Sequence, residues 1–240
     1  MRKKVAFFVD RRLGSALALW AIKNSNRHRT RILILCKKEN QGFFANRKAK
    51  IVHDEEEAFA FNPDIVFSIN YWKIIDVKRV QKVRIINLHH SHNLLYRGRH
   101  TCTWAIINAR KYNNWVHGTT LHLIDEKLDC GQIICSYSCP ILEYDTAYSL
   151  FLRVEKLARK MFKDNYLKMI NNDYSSSALP SGRFYYREKD LDHFIDFELP
   201  EVEICDRVRA LTFKGKQLPY AVINNQKIEL IWKGMVEGRT

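Results

Sequence analysis

The sequence predicts an α/β fold, a mostly parallel sheet flanked by helices with a small C-terminal α+β and hairpin region, and three features predict it. Apolar runs of strand length recur early, at residues 4–9, 31–36, 64–69 and 83–88. Segments of helical composition separate them, at residues 14–23 with Ser15 as candidate N-cap, and at residues 55–61. Strands that alternate with helices in this way form a parallel sheet covered on both faces. The third feature is the spacing i, i+3, i+4 of Leu150, Val154, Leu157, Ala158, Met161 and Phe162. It makes residues 145–170 one long amphipathic helix packed on the sheet, with Asp145 as the expected N-cap.

Between these regions, residues 119–124 and 132–141 read as a strand pair joined by a turn at 125–131. Composition shifts at residues 171–182, NNDYSSSALPSG, where Ser, Asn, Pro and Gly mark a turn-rich connection. The expected division is therefore an N-terminal domain at 1–175 and a C-terminal region at 181–240. The second part holds a short helix at 201–210 and strands at 220–223 and 227–232 around Asn224-Asn225, a hairpin signal. A segment of this size is too small to carry its own core, so it should pack on the first domain or on a second copy of the chain. Phe184, Tyr185, Phe194, Phe197 and Trp232 are many large apolar groups for an exposed appendage, which leads us to expect a homodimer formed through this region.

Composition bounds the function. With 240 residues, 46% of them hydrophobic and 12% aromatic, the chain is long enough for one full α/β core and a buried pocket. No apolar run approaches the roughly 18 residues of a membrane span. Asp10 and Arg12 interrupt the apolar N-terminal stretch before it reaches the form of a secretory signal. The six cysteines lack the density of a disulfide scaffold, which suits a reducing cytoplasm. A net charge of +14, from 40 Lys and Arg against 26 Asp and Glu, favours anionic partners without choosing among nucleotides, phosphates and nucleic acid.

The stretch 86–134 carries the chemistry. Asn87 and His89 stand two apart at the end of an apolar strand, so extended backbone sends both side chains out on one face. Two readings remain open: they cap the turn that follows, or they face a crevice at the carboxyl edge of the sheet. Neither His89, His90 and His92 nor Cys130, Cys135 and Cys139 has the spacing of a zinc ligand set, so no metal is expected. Only Gly14 follows the first strand, which excludes a GxGxxG dinucleotide fingerprint. Arg97, Arg99 and His100 flank Gly98, where cations suit either a diphosphate or a solvated turn.

The ordered set Asn87-x-His89-x-Ser91, Arg97-Gly98, Trp104-Ala105-Ile106, Gly118-Thr119-Thr120 and Leu128-Asp129-Cys130-Gly131 before Ile133-Ile134 resembles the formyltransferases that use N10-formyltetrahydrofolate. Within them it is most similar to the sugar N-formyltransferases acting on dTDP-4-amino-4,6-dideoxyglucose. The resemblance implies a formyltransferase-type, Rossmann-like sheet with Asn87, His89 and Asp129 as the catalytic residues. It places N10-formyltetrahydrofolate, with no metal, beside Tyr71, Trp72, Asp125 and Gly131. The dTDP-amino sugar is expected near Ser91, Arg97, Arg99, His100 and Trp104. Asp125 competes with Asp129 for the catalytic role but lacks a Gly two residues later. His92-Asn93-Leu94 stand where the family has Leu-Leu-Pro or Tyr-Leu-Pro, and the stretch 98–118 is longer than usual, so loop 92–117 departs from the family pattern.

The implied activity is formylation of the 4-amino group of the sugar nucleotide in the cytoplasm, for surface polysaccharide such as O-antigen, with no nucleic-acid or membrane partner. The alternatives are a methionyl-tRNA formyltransferase, whose family carries a larger C-terminal β-barrel, and a basic nucleic-acid-binding module, for which no RNP, KH or zinc-finger pattern is present. The chemistry itself asks for these residue types. Formyl transfer to an amine passes through a tetrahedral oxyanion, which needs a fixed hydrogen-bond donor such as Asn87. It also needs a proton acceptor that titrates near neutrality, as histidine does, with Asp129 to orient it.

Overall fold

The computed structural model describes residues 1–10, 12–80 and 83–234. Its strands, in chain order, are β1 (Lys3–Val9), β2 (Thr30–Leu35), β3 (Lys50–Val52), β4 (Ile65–Ile69), β5 (Arg84–His89), β6 (Tyr96–Gly98), β7 (Val116–Leu123), β8 (Ile133–Pro140), β9 (Phe184–Tyr186), β10 (Tyr220–Ile223) and β11 (Gln226–Glu229). The helices are α1 (Arg12–Lys23), α2 (Glu55–Ala60), α3 (Thr101–Lys111), α4 (Ala147–Asn171) and α5 (Glu201–Leu211). One seven-stranded sheet runs in the order β3-β2-β1-β4-β5-β7-β8. From β3 to β5 its pairings are parallel; β5–β7 and β7–β8 are antiparallel. The mostly parallel α/β architecture expected from the sequence is the one observed.

Strand alternation sorts the core into two layers. Val5, Phe7, Val9, Phe67, Ile86 and Leu88 face α1 and α4, where Phe7, Phe67, Phe162 and Tyr166 pack ring against ring. Ala6, Phe8, Val66 and Ile85 face the opposite layer, with Ala58 of α2, Phe59 and Tyr71. Ile85 thus sets the face on which the next alternate residues, Asn87 and His89, emerge.

Several local expectations change. Ser15 is not an N-cap: it is buried inside α1, because Gly14 lets the helix lie against the sheet, and a Cβ there would meet the Ile69 carbonyl at 2.6 Å. The N-cap of α4 is Thr146, whose hydroxyl accepts the Ser149 amide in a capping box. Asp145 instead buries its carboxylate against Arg153, the Ser149 hydroxyl and the Leu142 amide. Helix α3 and the edge strand β3 were not expected. The second hairpin strand is shorter than 227–232, and Asn224 and Asn225, at φ 50° and 59°, form its turn.

The C-terminal region packs on the first domain. Arg209 of α5 is buried, donating to the Leu142 and Asp145 carbonyls at 3.2 and 3.0 Å and to the Asp206 carboxylate at 2.9 Å. Ile195, Val208 and Leu211 form a small core with Leu230 and Trp232. Of the large apolar groups singled out above, Phe184 stacks on Tyr96 and Trp232 joins this small core. Tyr185, Phe194 and Phe197 stay exposed.

Candidate active site

The site forms where the sheet changes from parallel to antiparallel pairing. In the β5–β7 register Asn87 lies opposite His122 and His89 opposite Thr120, so side chains from both strands meet on one face. The Asn87 amide nitrogen stands 3.1 Å from His122 Nε2, while His122 Nδ1 lies 2.7 Å from the Leu123 carbonyl. The carbonyl fixes the tautomer: Nδ1–H donates to it, and Nε2 accepts one amide hydrogen of Asn87. Burial, followed by the neighbouring His89, pushes the His122 pKa down to about 4, against the opposing pull of Asp129. His122 is therefore a neutral acceptor at physiological pH, and the second amide hydrogen of Asn87 remains for another partner.

His89 is oriented by the same logic. Its Nε2 donates to the Tyr96 carbonyl at 2.8 Å, which leaves Nδ1 as the basic atom. Nδ1 faces Asp129 Oδ1 at 3.8 Å, and the same oxygen stands 3.8 Å from His122 Nε2. The other Asp129 oxygen accepts the Gly98 amide at 2.9 Å. Asp129 is buried and sits in the left-handed region at φ 49°. Just beyond it, a Cβ on Gly131 would stand 1.7 Å from the Leu123 carbonyl, so only glycine lets this loop close onto β7.

The three residues expected to be catalytic thus converge, and His122, which the sequence reading passed over, joins them. The signal was present: His122 follows Thr120 on the same strand face, but only the register shows that it meets Asn87. Among the other candidates, Asp125 is exposed and its carboxylate accepts the Glu126 amide, which leaves Asp129 as the carboxylate of the cluster. Ser91 is fully buried, and its hydroxyl accepts the Tyr96 amide at 2.8 Å, so it shapes the loop. Tyr71 donates its hydroxyl to Glu55 and packs on Phe8 and Trp72, while Trp72 lies under the Lys37 ammonium.

Arg97 donates to the Leu128 carbonyl at 3.0 Å and lies over the Tyr185 ring. Arg99 and His100 both donate to Glu188, at 2.8 and 2.9 Å, and hold its pKa down to about 2. Trp104 stacks flat on Tyr186 at 3.8 Å. These four residues therefore tie loop 96–104 to residues 184–188. Among the described residues, no group of His, Cys, Asp and Glu is placed to hold a metal ion, and no helix is long and apolar enough to cross a membrane.

Residues 19–165 match the family model described as formyl transferase, more than half of the chain. The chain belongs to the formyl transferase family. It is 32% identical over 155 residues to a GDP-perosamine N-formyltransferase of Brucella melitensis, a match covering 64% of this chain and 58% of the relative's length. The structure of WlaRD, a sugar 3N-formyl transferase crystallised in the presence of dTDP and 5-N-formyl-THF, superposes with a TM-score of 0.78 at 28% identity, covering 95% and 85% of the two chains. That of the N-formyltransferase from Helicobacter canadensis, in complex with folinic acid and dTDP-3-aminofucose, gives a TM-score of 0.77 at 27% identity, covering 95% and 86%.

Proposed function

We propose that this chain transfers the formyl group of N10-formyltetrahydrofolate to the amine of a nucleotide-linked amino sugar, with dTDP-4-amino-4,6-dideoxyglucose as the favoured acceptor. The observation that carries the reading is the convergence of Asn87, His89, His122 and Asp129, with each ring nitrogen assigned by its hydrogen bonds. The residues fit an N-formyl donor: Asn87 keeps one amide hydrogen to give to a carbonyl oxygen, and His89 Nδ1 keeps a lone pair to take the proton of an amine. The folate supplies the activated formyl carbon.

Asn87 Nδ2 donates its second hydrogen to the formyl oxygen as negative charge develops there, and His122 keeps the amide turned the right way. His89 Nδ1 takes the proton that the amine releases on attack, then returns it to the departing folate nitrogen, so no covalent enzyme intermediate is needed. Asp129 stabilises the transient imidazolium and holds its ring orientation. Support for a sugar nucleotide acceptor comes from the WlaRD and Helicobacter canadensis relatives, whose structures contain dTDP or a dTDP-sugar. The Brucella relative, named for GDP-perosamine, makes the nucleotide the open variable.

The test is incubation with N10-formyltetrahydrofolate and a panel of dTDP- and GDP-linked 3-amino and 4-amino sugars, read by mass spectrometry for the gain of one formyl group. Formylation of the dTDP 4-amino sugar with the highest kcat/KM is the expected result. Preference for a GDP sugar or a 3-amino sugar changes the substrate and leaves the chemistry standing. Formylation of methionyl-tRNA with every sugar untouched overturns the proposal.

A further inference from the structure

The Asp129 loop is held by the C-terminal region. Strand β6 pairs in parallel with β9, Tyr96 opposite Phe184 and Gly98 opposite Tyr186, and the Phe184 amide bonds the Leu95 carbonyl at 2.8 Å. This pairing delivers Arg183, the residue just before β9, to the back of the loop. Its Nη1 donates to the Asp129 carbonyl at 2.9 Å, and its Nη2 lies 3.6 Å from the Cys130 sulfur. On the neighbouring peptide Arg97 Nε donates to the Leu128 carbonyl. Asp129 stands between these two guanidinium clamps in a left-handed conformation, which an aspartate tolerates but which extended backbone still outcompetes.

We infer that Arg183 is a positioning residue for Asp129, and that the C-terminal region thereby completes the catalytic centre of the first domain. The inference rests on the assignment of Asp129 proposed above. The carbonyl of a left-handed residue points away from the direction it takes in extended backbone, and Arg183 is the donor that holds it there. With that donor removed, the peptide is free to relax to negative φ. The carboxylate then leaves both the Gly98 amide and its place beside His89 and His122. Arg97 alone does not prevent this, because it holds the peptide before Asp129.

The charged and titratable groups around this point are Asp129 itself, His89 from β5, His122 from β7, Arg97 from β6, the Cys130 thiol and Arg183.

The test compares the full-length wild type with Arg183→Ala, Arg183→Lys and Asp129→Asn. It uses N10-formyltetrahydrofolate and the amino sugar nucleotide that the wild type turns over fastest, with KM and kcat measured from pH 5.5 to 9. For Arg183→Ala the expected result is a kcat about ten- to a hundredfold lower, as for loss of one charge-assisted hydrogen bond. Both KM values should stay within about twofold, and millimolar guanidinium should restore part of the loss. If Arg183→Ala does not fold, Arg183→Lys carries the test, with lower kcat and unchanged KM. Wild-type kcat in a folded Arg183 variant, with Asp129→Asn inactive, overturns this inference alone. Full activity in Asp129→Asn overturns the site assignment and this inference with it.

Discussion

His117 offers a measurement that separates burial from every other contribution to acid stability. Its ring is fully enclosed, with Tyr96 edge-on at 5.9 Å. Neither ring nitrogen has a partner of hydrogen-bonding geometry among the described residues. The His90 carbonyl, which accepts the Thr101 hydroxyl, opposes the shift only weakly. Burial, with the neighbouring His90, His89 and His92 adding to it, pushes the pKa of His117 from 6.5 down to about 3. The unfolded chain therefore binds a proton near pH 6.5 that the folded chain refuses until about pH 3. The stability that neutral His117 contributes is complete above pH 6.5 and is lost progressively below it.

Linkage puts the loss at about 2 kcal/mol at pH 5 and about 3 kcal/mol at pH 4. That is a large share of a domain stability of roughly 5–15 kcal/mol. The perturbation is His117→Leu, which keeps a similar volume and removes the titrating group. Urea unfolding of wild type and variant at pH 8 and pH 5 gives two stability differences. Their change between the two pH values isolates the proton, because any packing change in the variant is common to both. The expected change is about 2 kcal/mol in favour of the variant at pH 5. Parallel loss of stability in the two proteins, to within a few tenths of a kcal/mol, would refute the reasoning and show that the ring is charged or wet in the fold.

Asn87→Ala should lower kcat by about a hundred- to a thousandfold with KM changed little, because its free amide hydrogen matters only as charge develops on the formyl oxygen; steady-state kinetics decide, and a pure KM effect makes Asn87 a binding residue. Arg209→Met should cost about 1–3 kcal/mol in urea unfolding, since the Leu142 and Asp145 carbonyls lose their buried donor while Asp206 keeps Arg110; a loss under about 0.5 kcal/mol means that water replaces it. Tyr185, Phe194, Phe197, Val222, Ile223 and Ile228 leave an apolar C-terminal surface exposed. Light scattering should accordingly give twice the 28.4 kDa monomer mass at micromolar concentration, and the monomer mass contradicts the expected homodimer.

What the sequence made legible follows from the physics of each element. The central strands could be read because a sheet covered on both faces needs unbroken apolar runs, as in Phe67 and its neighbours. Helix α3 could not, because its buried side includes Thr101, Cys102, Thr103 and Asn108, which blur the apolar period. Asn87 and His89 were visible as a same-face pair two residues apart. Their tautomers, the role of His122 and the clamp by Arg183 were not. Each depends on a contact between residues far apart in the chain, fixed by strand register or by pairing with the C-terminal region. The expectation that Arg99 and His100 serve a diphosphate was drawn without Glu188, whose place beside them the sequence does not show.

The position of the site has a physical cause in the sheet order. A further parallel strand beside β5 would run alongside it, and its carboxyl end would deliver a loop to the crevice. The antiparallel β7 instead brings side chains from within a strand against Asn87, so His122 is held by the backbone ladder on both sides. The β7–β8 turn then returns to the same edge, where Gly131 closes it tightly enough to present Asp129. Rigid strands thus carry Asn87, His89 and His122, while the carboxylate alone rides on a loop. A loop residue in a left-handed conformation needs outside support. That support comes from β6, which holds His89 through the Tyr96 carbonyl and Asp129 through the Gly98 amide, and from the β9 segment paired to it. The segment after the first domain is therefore tied to the least rigid member of the site, so truncation of the chain before Arg183 should abolish turnover even where the sheet still folds.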